Sequence, residues 1–481
     1  MNRPIRRVAI VCMVLFAMLL ANGSWIVVVR QGSLNERPEN RRVRDSEFSQ
    51  DRGPIMAGQT QIASTVPSKD QFGYQRTYPQ AAMYAPITGY YSYDHARIGL
   101  EQSYNTQLAG TDDSQFIKRM IDTVTGQKPT GAIVETTINP KAQEAAYKGL
   151  GNRKGAVVAM DPRTGAVLAM ASTPSYDPNR IASHDIGEAN EAWSDLANDK
   201  DKPMSNRAAR EVYPPGSTFK LVTAAAALES GMNPDTMVDS PTTYTLPGTN
   251  YGLGNETNCG GERITLDHAL AVSCNTAFAK VGNQLGADAL RSQAEKFGFG
   301  KRHLNELNGV DSRFPANPND AQTALSAIGQ YDVAASPLQM ASVTAAIAND
   351  GQVYEPYLVS TVRSANLSVI QKNRPSKTGI AMSAQNSVKL RSMMKGVVDS
   401  GTGTNAQIKG HEVGGKTGTA QTSPENPPFA WFTSYAMDSS GKVPEVAVTV
   451  FIEDAGVARN EIAGGALAAP VARQVMQAVL K

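Results

Sequence analysis

Net charge of either sign is nearly absent from this chain. Its 46 lysines and arginines against 44 aspartates and glutamates leave a formal +2 over 481 residues, which makes no electrostatic case for nucleic acid as a partner. Histidine is scarce too: none of the five copies sits in a recognisable catalytic context, and a Gly-x-Ser-x-Gly elbow is missing, so a Ser-His-Asp hydrolase is disfavoured. His268 and His411 read as satisfied structural histidines. No His/Cys/Asp/Glu group has metal-ligand spacing, and neither a metal nor another cofactor is expected. A fixed-period repeat that would mark a solenoid or propeller is also lacking.

What is present starts with an apolar run from Val8 to Val29, preceded by Arg3, Arg6 and Arg7 and interrupted only by Asn22-Gly23-Ser24. It is long enough to span a bilayer. The arginines favour a cytoplasmic start, which leaves the remaining ~450 residues outside the cell membrane as a single-pass protein. A cleaved signal peptide, with Val8 to Ala21 as its apolar core, is the competing reading. Trp25-Ile26-Val27-Val28-Val29 resumes the apolar run and favours the anchor. Of three cysteines, Cys12 lies in this run, so Cys259 and Cys274 are the only pair beyond it. An oxidising compartment permits them to bond, closing a loop of about 15 residues for on the order of 3 kcal/mol. Two free thiols remain the alternative, because a sequence does not report Cα separation.

At this length one large domain plus a smaller module is expected. Residues 1–30 are the cytoplasmic start and anchor. Residues 31–150 form a small non-catalytic module, its polar stretch from 31 to about 65 extended or loop-rich. Ala132 to Ile138 alternates like a strand, and Pro140 starts a helix that ends the module. Residues 151–481 form the large domain. There, Gly155–Met160 and Ala166–Ala171 flank Asp161-Pro162-Arg163-Thr164-Gly165, a hairpin signal. Helical patterns fill 217–230, 265–285 and 334–350, with a strand at 445–452 and a C-terminal helix. Strands at both ends with helices between them predict an α+β domain whose sheet is closed by distant parts of the chain.

Three short motifs in fixed order carry the chemistry: Ser217-Thr218-Phe219-Lys220, Ser273-Cys274-Asn275 and Lys416-Thr417-Gly418. Each has decoys. Ser392 and Ser439 also begin Ser-x-x-Lys, but no Ser-x-Asn follows either one. Ser364-Ala365-Asn366 lies only about a dozen residues before Lys377, whereas Ser273 sits between two helical segments. Lys377-Thr378-Gly379 follows Asn373-Arg374-Pro375-Ser376 and reads as a loop without strand character. Val413 to Ala420 instead reads as an edge strand whose glycines let a ligand backbone approach.

Pro214-Pro215-Gly216 before Ser217 and the alanine-rich run after it place Ser217 at a helix N-terminus, with Lys220 one turn on and on the same face. A lysine ammonium accepts no proton. Lys220 therefore works as a base only if burial and a second cation such as Lys416 strip its charge. Ser273 can relay a proton, Asn275 can hold a substrate amide, and an N–H of the edge strand with that of Ser217 can form an oxyanion hole.

At these residues the chain resembles the penicillin-binding protein and serine β-lactamase superfamily, whose defining set is these three motifs in this order. Arg52-Gly53-Pro54-Ile55, Ala159 to Ala166, Tyr213 to Lys220, Gly329-Gln330 and Gly401-Thr402-Gly403 look like class B penicillin-binding proteins. Arg76-Thr77-Tyr78-Pro79 looks most like the actinobacterial penicillin-binding protein A branch. The resemblance implies a central antiparallel sheet flanked by helices, an all-helical subdomain and a pedestal- or dimerisation-like first module.

It implies a peptidoglycan D,D-transpeptidase. Ser217 attacks the D-Ala-D-Ala of a stem peptide, and β-lactams acylate the same serine. Lys220 is the base, Ser273 and Lys416 the proton relay, and Asn275 a substrate anchor. Thr417 and Thr419 hold the substrate carboxylate on the Gly418 strand, and the N–H groups of Ser217 and Thr419 form the oxyanion hole. A RodA/FtsW-type glycosyltransferase is an implied partner. D,D-carboxypeptidases and endopeptidases use the same motifs with water as acceptor, and a β-lactam sensor or scaffold would bind without turnover. A β-lactamase would need a deacylating carboxylate. Glu306 lies in a similar loop, but the position where that loop carries its base is Leu304.

Overall fold

The computed structural model describes residues 3–30, 41–112, 130–421 and 427–480. The first segment, Arg3–Arg30, is a 28-residue helix, and at 1.5 Å per residue it reaches about 42 Å, more than a bilayer's hydrocarbon core. None of its side chains is buried by the rest of the protein.

The large domain is built on a five-stranded antiparallel sheet. Its order is 413–420, 429–437, 444–454, 154–160 and 167–173. The expected hairpin from 154 to 173 thus pairs with the last strand of the chain. That strand, Pro444–Asp454, is buried along nearly all its length, as suits a central strand covered on both faces. Helices Pro140–Leu150 and Ala469–Val479 cover one face, and the wholly buried helix Pro337–Ala348 covers the other. Strand Val413–Ala420 lies at the edge, backed by helix Ala384–Asp399.

Three sequence expectations change. The stretch after residue 40, expected to be extended or loop-rich, is extended at the strands Ile55–Ala57 and Thr60–Pro67, but Arg41–Phe48 is helical. Residues 31–40 lie outside the described residues. Helix Pro140–Leu150, read as the end of the first module, packs against the C-terminal helix and the large sheet. The six-stranded sheet of the first module is also completed from far along the chain, since strand Ile133–Thr136 pairs with Val359–Arg363, which pairs with Val369–Lys372.

A buried ion cluster organises that module. Glu101 is fully buried and accepts from Arg52 Nε and Arg76 Nε, both at 2.7 Å, and from the Tyr78 hydroxyl at 3.1 Å. Burial alone would raise its pKa, but the Arg76 and Arg52 charges prevail and hold it below the ordinary value. Removing one member would strand two nearly buried guanidinium groups. Glu101→Ala is therefore expected to cost about 3–5 kcal/mol in urea unfolding, and Glu101→Gln, which keeps an acceptor, less.

Candidate active site

Ser217 sits in a 3-10 turn, Gly216–Phe219, that runs directly into the buried helix Lys220–Glu229. A 3-10 turn has three residues per turn, so positions i and i+3 eclipse and Ser217 and Lys220 line up more closely than in an α-helix. Glycines make the turn's surroundings possible. Gly216 has φ +52 and Gly329 φ +73, and a Cβ on Gly329 would come within 2.1 Å of the Gly216 carbonyl oxygen. Gly216 N donates to Gly329 O at 3.0 Å. A Cβ on Gly418 would meet the Thr218 methyl at 3.0 Å, and one on Gly216 the Thr419 carbonyl oxygen at 2.8 Å. The third-motif strand therefore lies directly against the Ser217 turn.

The expected helical stretch from 265 to 285 is broken into Leu266–Ala271 and Asn275–Leu285. Ser273 stands in the gap with φ +59, a left-handed backbone that is uncommon for a residue with a Cβ and is concentrated at functional sites. The break turns both the Ser273 carbonyl and its hydroxyl toward Lys220. Lys220 Nζ donates to Ser273 O at 2.7 Å and to Asn275 Oδ1 at 2.7 Å, and lies 3.3 Å from Ser273 Oγ. Lys416 Nζ reaches Ser273 Oγ from the other side at 2.8 Å and donates to Thr417 O at 2.9 Å.

Both lysines are completely buried. Burial, and then the charge of Lys416, push Lys220 well below the ordinary lysine pKa, with Glu256 opposing in part. Burial pushes Lys416 down to about 7, again against Glu256. A neutral amine has two N–H donors and one lone pair. The two 2.7 Å bonds of Lys220 use both donors of the neutral amine, which leaves its lone pair to the hydroxyl side of the cleft, where Ser273 Oγ lies 3.3 Å away. Among the described residues Ser217 Oγ makes no hydrogen bond to Lys220, and apo sites often leave such contacts long.

Side chains alternate along the third strand. Lys416 faces the serines, while Thr417 hydrogen-bonds the Thr402 hydroxyl at 2.6 Å. Ser217, Ser273, Asn275 and Thr419 are half-buried, whereas both lysines are closed off. The arrangement is a cleft with hydroxyl and amide groups at its surface and two amines behind them.

Two residues outside the three motifs bear on the site, Thr402 through its hydrogen bond to Thr417 and Glu256 through its charge. Gly401-Thr402-Gly403 was visible as a segment, but nothing local in the sequence couples Glu256 to the lysines. Cys259 and Cys274 form a disulfide with Cα atoms 5.6 Å apart, and the middle residue of the second motif is thereby tied to residue 259.

The decoys fall elsewhere. Lys377–Ile380 is a strand after all, paired antiparallel with Gln352–Tyr354; Lys377 is nevertheless exposed and, among the described residues, hydrogen-bonds neither Ser217 nor Ser273. Ser364 closes a local turn with Ser368 and Asn366. Glu306 is spent on structure: its carboxylate accepts from Leu358 N at 2.8 Å, Val359 N at 3.3 Å and the Tyr104 hydroxyl at 3.0 Å. His411 hydrogen-bonds Met437 O at 3.0 Å.

Residues 155–477 match the penicillin binding protein transpeptidase domain, and residues 52–134 the penicillin binding protein A dimerisation domain. The peptidoglycan D,D-transpeptidase PbpA of Mycolicibacterium smegmatis is 40% identical, covering 100% of this chain and 99% of that one. The ceftriaxone acyl-enzyme complex of penicillin-binding protein A from M. tuberculosis superposes with a TM-score of 0.88 at 38% identity, covering 91% of this chain and 100% of that one. The corresponding penicillin G acyl-enzyme gives 0.84 at 38% identity, covering 89% and 99%. Motif order, cleft geometry and these likenesses converge: the chain belongs to the penicillin-binding protein transpeptidase family.

Proposed function

We propose that this protein is a membrane-anchored peptidoglycan D,D-transpeptidase working through a Ser217 acyl-enzyme. The observation that carries the reading is the buried run Lys416 Nζ–Ser273 Oγ–Lys220 Nζ beside the Ser217 turn. It is a path along which a proton can move without an ion being solvated.

Ser217 gives its proton to the free lone pair of Lys220 as its oxygen bonds to the penultimate D-Ala carbonyl carbon. The oxyanion is held by the N–H groups of Ser217 and Thr419, and the substrate carboxylate by the Thr417 and Thr419 hydroxyls, with Thr402 orienting Thr417. Asn275 anchors the donor amide. Collapse breaks the C–N bond, and the proton returns through Ser273, whose hydroxyl Lys416 orients, to the departing D-Ala amine. An amine of a second stem peptide then attacks the ester, its proton passes to Lys220 and on to Ser217 Oγ, and the cross-link is released. A β-lactam opens the same way, but its leaving amine stays tethered and the acyl-enzyme persists.

The Arg3–Arg30 helix would hold the catalytic domain at the outer face of the cell membrane, beside a RodA/FtsW-type glycosyltransferase, with the first module as pedestal. A product assay separates this activity from a carboxypeptidase. With a D-Ala-D-Ala donor and an amine acceptor, the transfer product is expected to exceed the hydrolysis product at millimolar acceptor. Hydrolysis product alone, at every acceptor concentration, would assign the protein to the carboxypeptidases.

A further inference from the structure

A transpeptidase needs a place for its second substrate. In the reading above the donor occupies the edge strand Val413–Ala420, so the acceptor must enter from the side of the second motif. A cavity of about 510 Å³ lies there, lined by Ser240, Thr242, the segment 255–259, Gly261 and Glu262. That volume falls within the ~300–1,000 Å³ of small-ligand sites.

Its wall is stitched to the second motif residue by residue. Gly254 O accepts from Asn275 Nδ2 at 3.4 Å, Asn255 Oδ1 from Thr276 N at 3.0 Å, and Val272 O from Thr257 Oγ1 at 3.0 Å. The Cys259–Cys274 disulfide closes the same row.

The lining contains hydroxyls, amides and two carboxylates, with no lysine, arginine or histidine. Glu256 and Glu262 are exposed and make no ion pair among the described residues. The nearby cations Arg263 and Lys280 are engaged by Asp239, at 3.4 and 2.7 Å. The Glu256 charge acts on both lysines in one sense, partly opposing the downward push that burial gives them.

We infer that this cavity is the acceptor subsite, in which Glu256 and Glu262 capture the ammonium-bearing end of the attacking stem peptide. The inference rests on the transpeptidase reading and adds to it the charge class of the second substrate. Captured at the wet wall, the ammonium gives one proton to water as it moves toward the buried lysines, where a low-dielectric setting favours the neutral amine. The amine nitrogen then bonds to the acyl carbon, the bond to Ser217 Oγ breaks, and the second proton passes through Lys220 to that oxygen.

The test uses the full chain in detergent, a D-Ala-D-Ala donor peptide and two acceptors at pH 7.5: Nα-acetyl-lysine amide, a cation, and hydroxylamine, largely uncharged. Mass spectrometry gives the ratio of the two transfer products. This partition follows acylation and does not depend on its rate. Glu256→Gln and Glu262→Gln are each expected to lower the cation-to-neutral ratio about three- to fivefold, and the double variant about tenfold. Raising the salt concentration on the parent protein should lower it in the same sense. An unchanged ratio in a double variant that still takes up penicillin at Ser217 overturns the acceptor subsite and leaves the transpeptidase reading standing. A parent protein that forms no penicillin adduct overturns both.

Discussion

Ser217→Ala is expected to abolish the covalent penicillin adduct completely, while the parent protein gains one adduct per chain that persists for hours in intact mass. The loss is chemical and not structural. Ser217 is half-buried and its hydroxyl has no hydrogen-bond partner among the described residues, so alanine leaves no buried polar group stranded. The stability change should stay within about 0.5 kcal/mol. The turn itself is held by neighbours: Gly216 N on Gly329 O at 3.0 Å and the Thr218 hydroxyl on Pro215 O at 2.7 Å. A folded alanine variant that still carries the adduct would move the nucleophile to another residue. A parent adduct that decays within minutes would instead point to a deacylating base that the bonds of Glu306 to Leu358 N, Val359 N and Tyr104 leave no room for at that residue.

Much of this site was legible from order and spacing. Ser217 is separable from its decoys because no Ser-x-Asn follows either of the other two Ser-x-x-Lys motifs, whereas Ser273 and Lys416 are told from Ser364 and Lys377 only by spacing and local pattern, and the strand at Lys377–Ile380 removes part of that second ground. The edge strand was legible from Gly414, Gly415 and Gly418, where a Cβ would strike Tyr435, Phe432 and Thr218. What the spacing could not reveal is pairing across the chain. Val359–Arg363 reads as the same short strand whether it joins the large sheet or the first module, and its partner Ile133–Thr136 lies more than two hundred positions earlier. Helix Pro140–Leu150 likewise buries its Ala142, Ala146 and Leu150 stripe against a C-terminal helix that no local signal connects to it. Periodicity reports which face is buried, not what covers it. The Lys220 geometry was half legible: its neutrality follows from burial and from Lys416, both anticipated, but its two strong acceptors, Ser273 O and Asn275 Oδ1, exist only because Ser273 takes a left-handed backbone.

Lys220→Met should separate catalysis from stability. Acylation by penicillin is expected to fall about 10²–10⁴-fold, the usual contribution of a positioned general base, because Ser217 then has no amine to take its proton. On the mechanism proposed above, the reactive form in the parent protein is neutral Lys220. The acylation rate should therefore rise with pH through a pKa well below the ordinary 10.5, and this rising limb should vanish in the methionine variant. Stability should move the other way. The folded protein holds Lys220 unprotonated where the unfolded chain would protonate it, so the unfolded state binds more protons and the lysine disfavours folding at every pH below 10.5. The penalty is complete below the folded pKa, shrinks as pH rises, and is gone above the unfolded one. Methionine removes it. The acceptors left behind, Ser273 and Asn275, are half-exposed and can turn to water, so the variant is expected to unfold at higher urea than the parent near pH 6 and at nearly the same urea near pH 11. A variant slower in acylation yet less stable at pH 6 would mean that Lys220 is charged in the folded protein, and that Lys416 is the amine that gives up its proton.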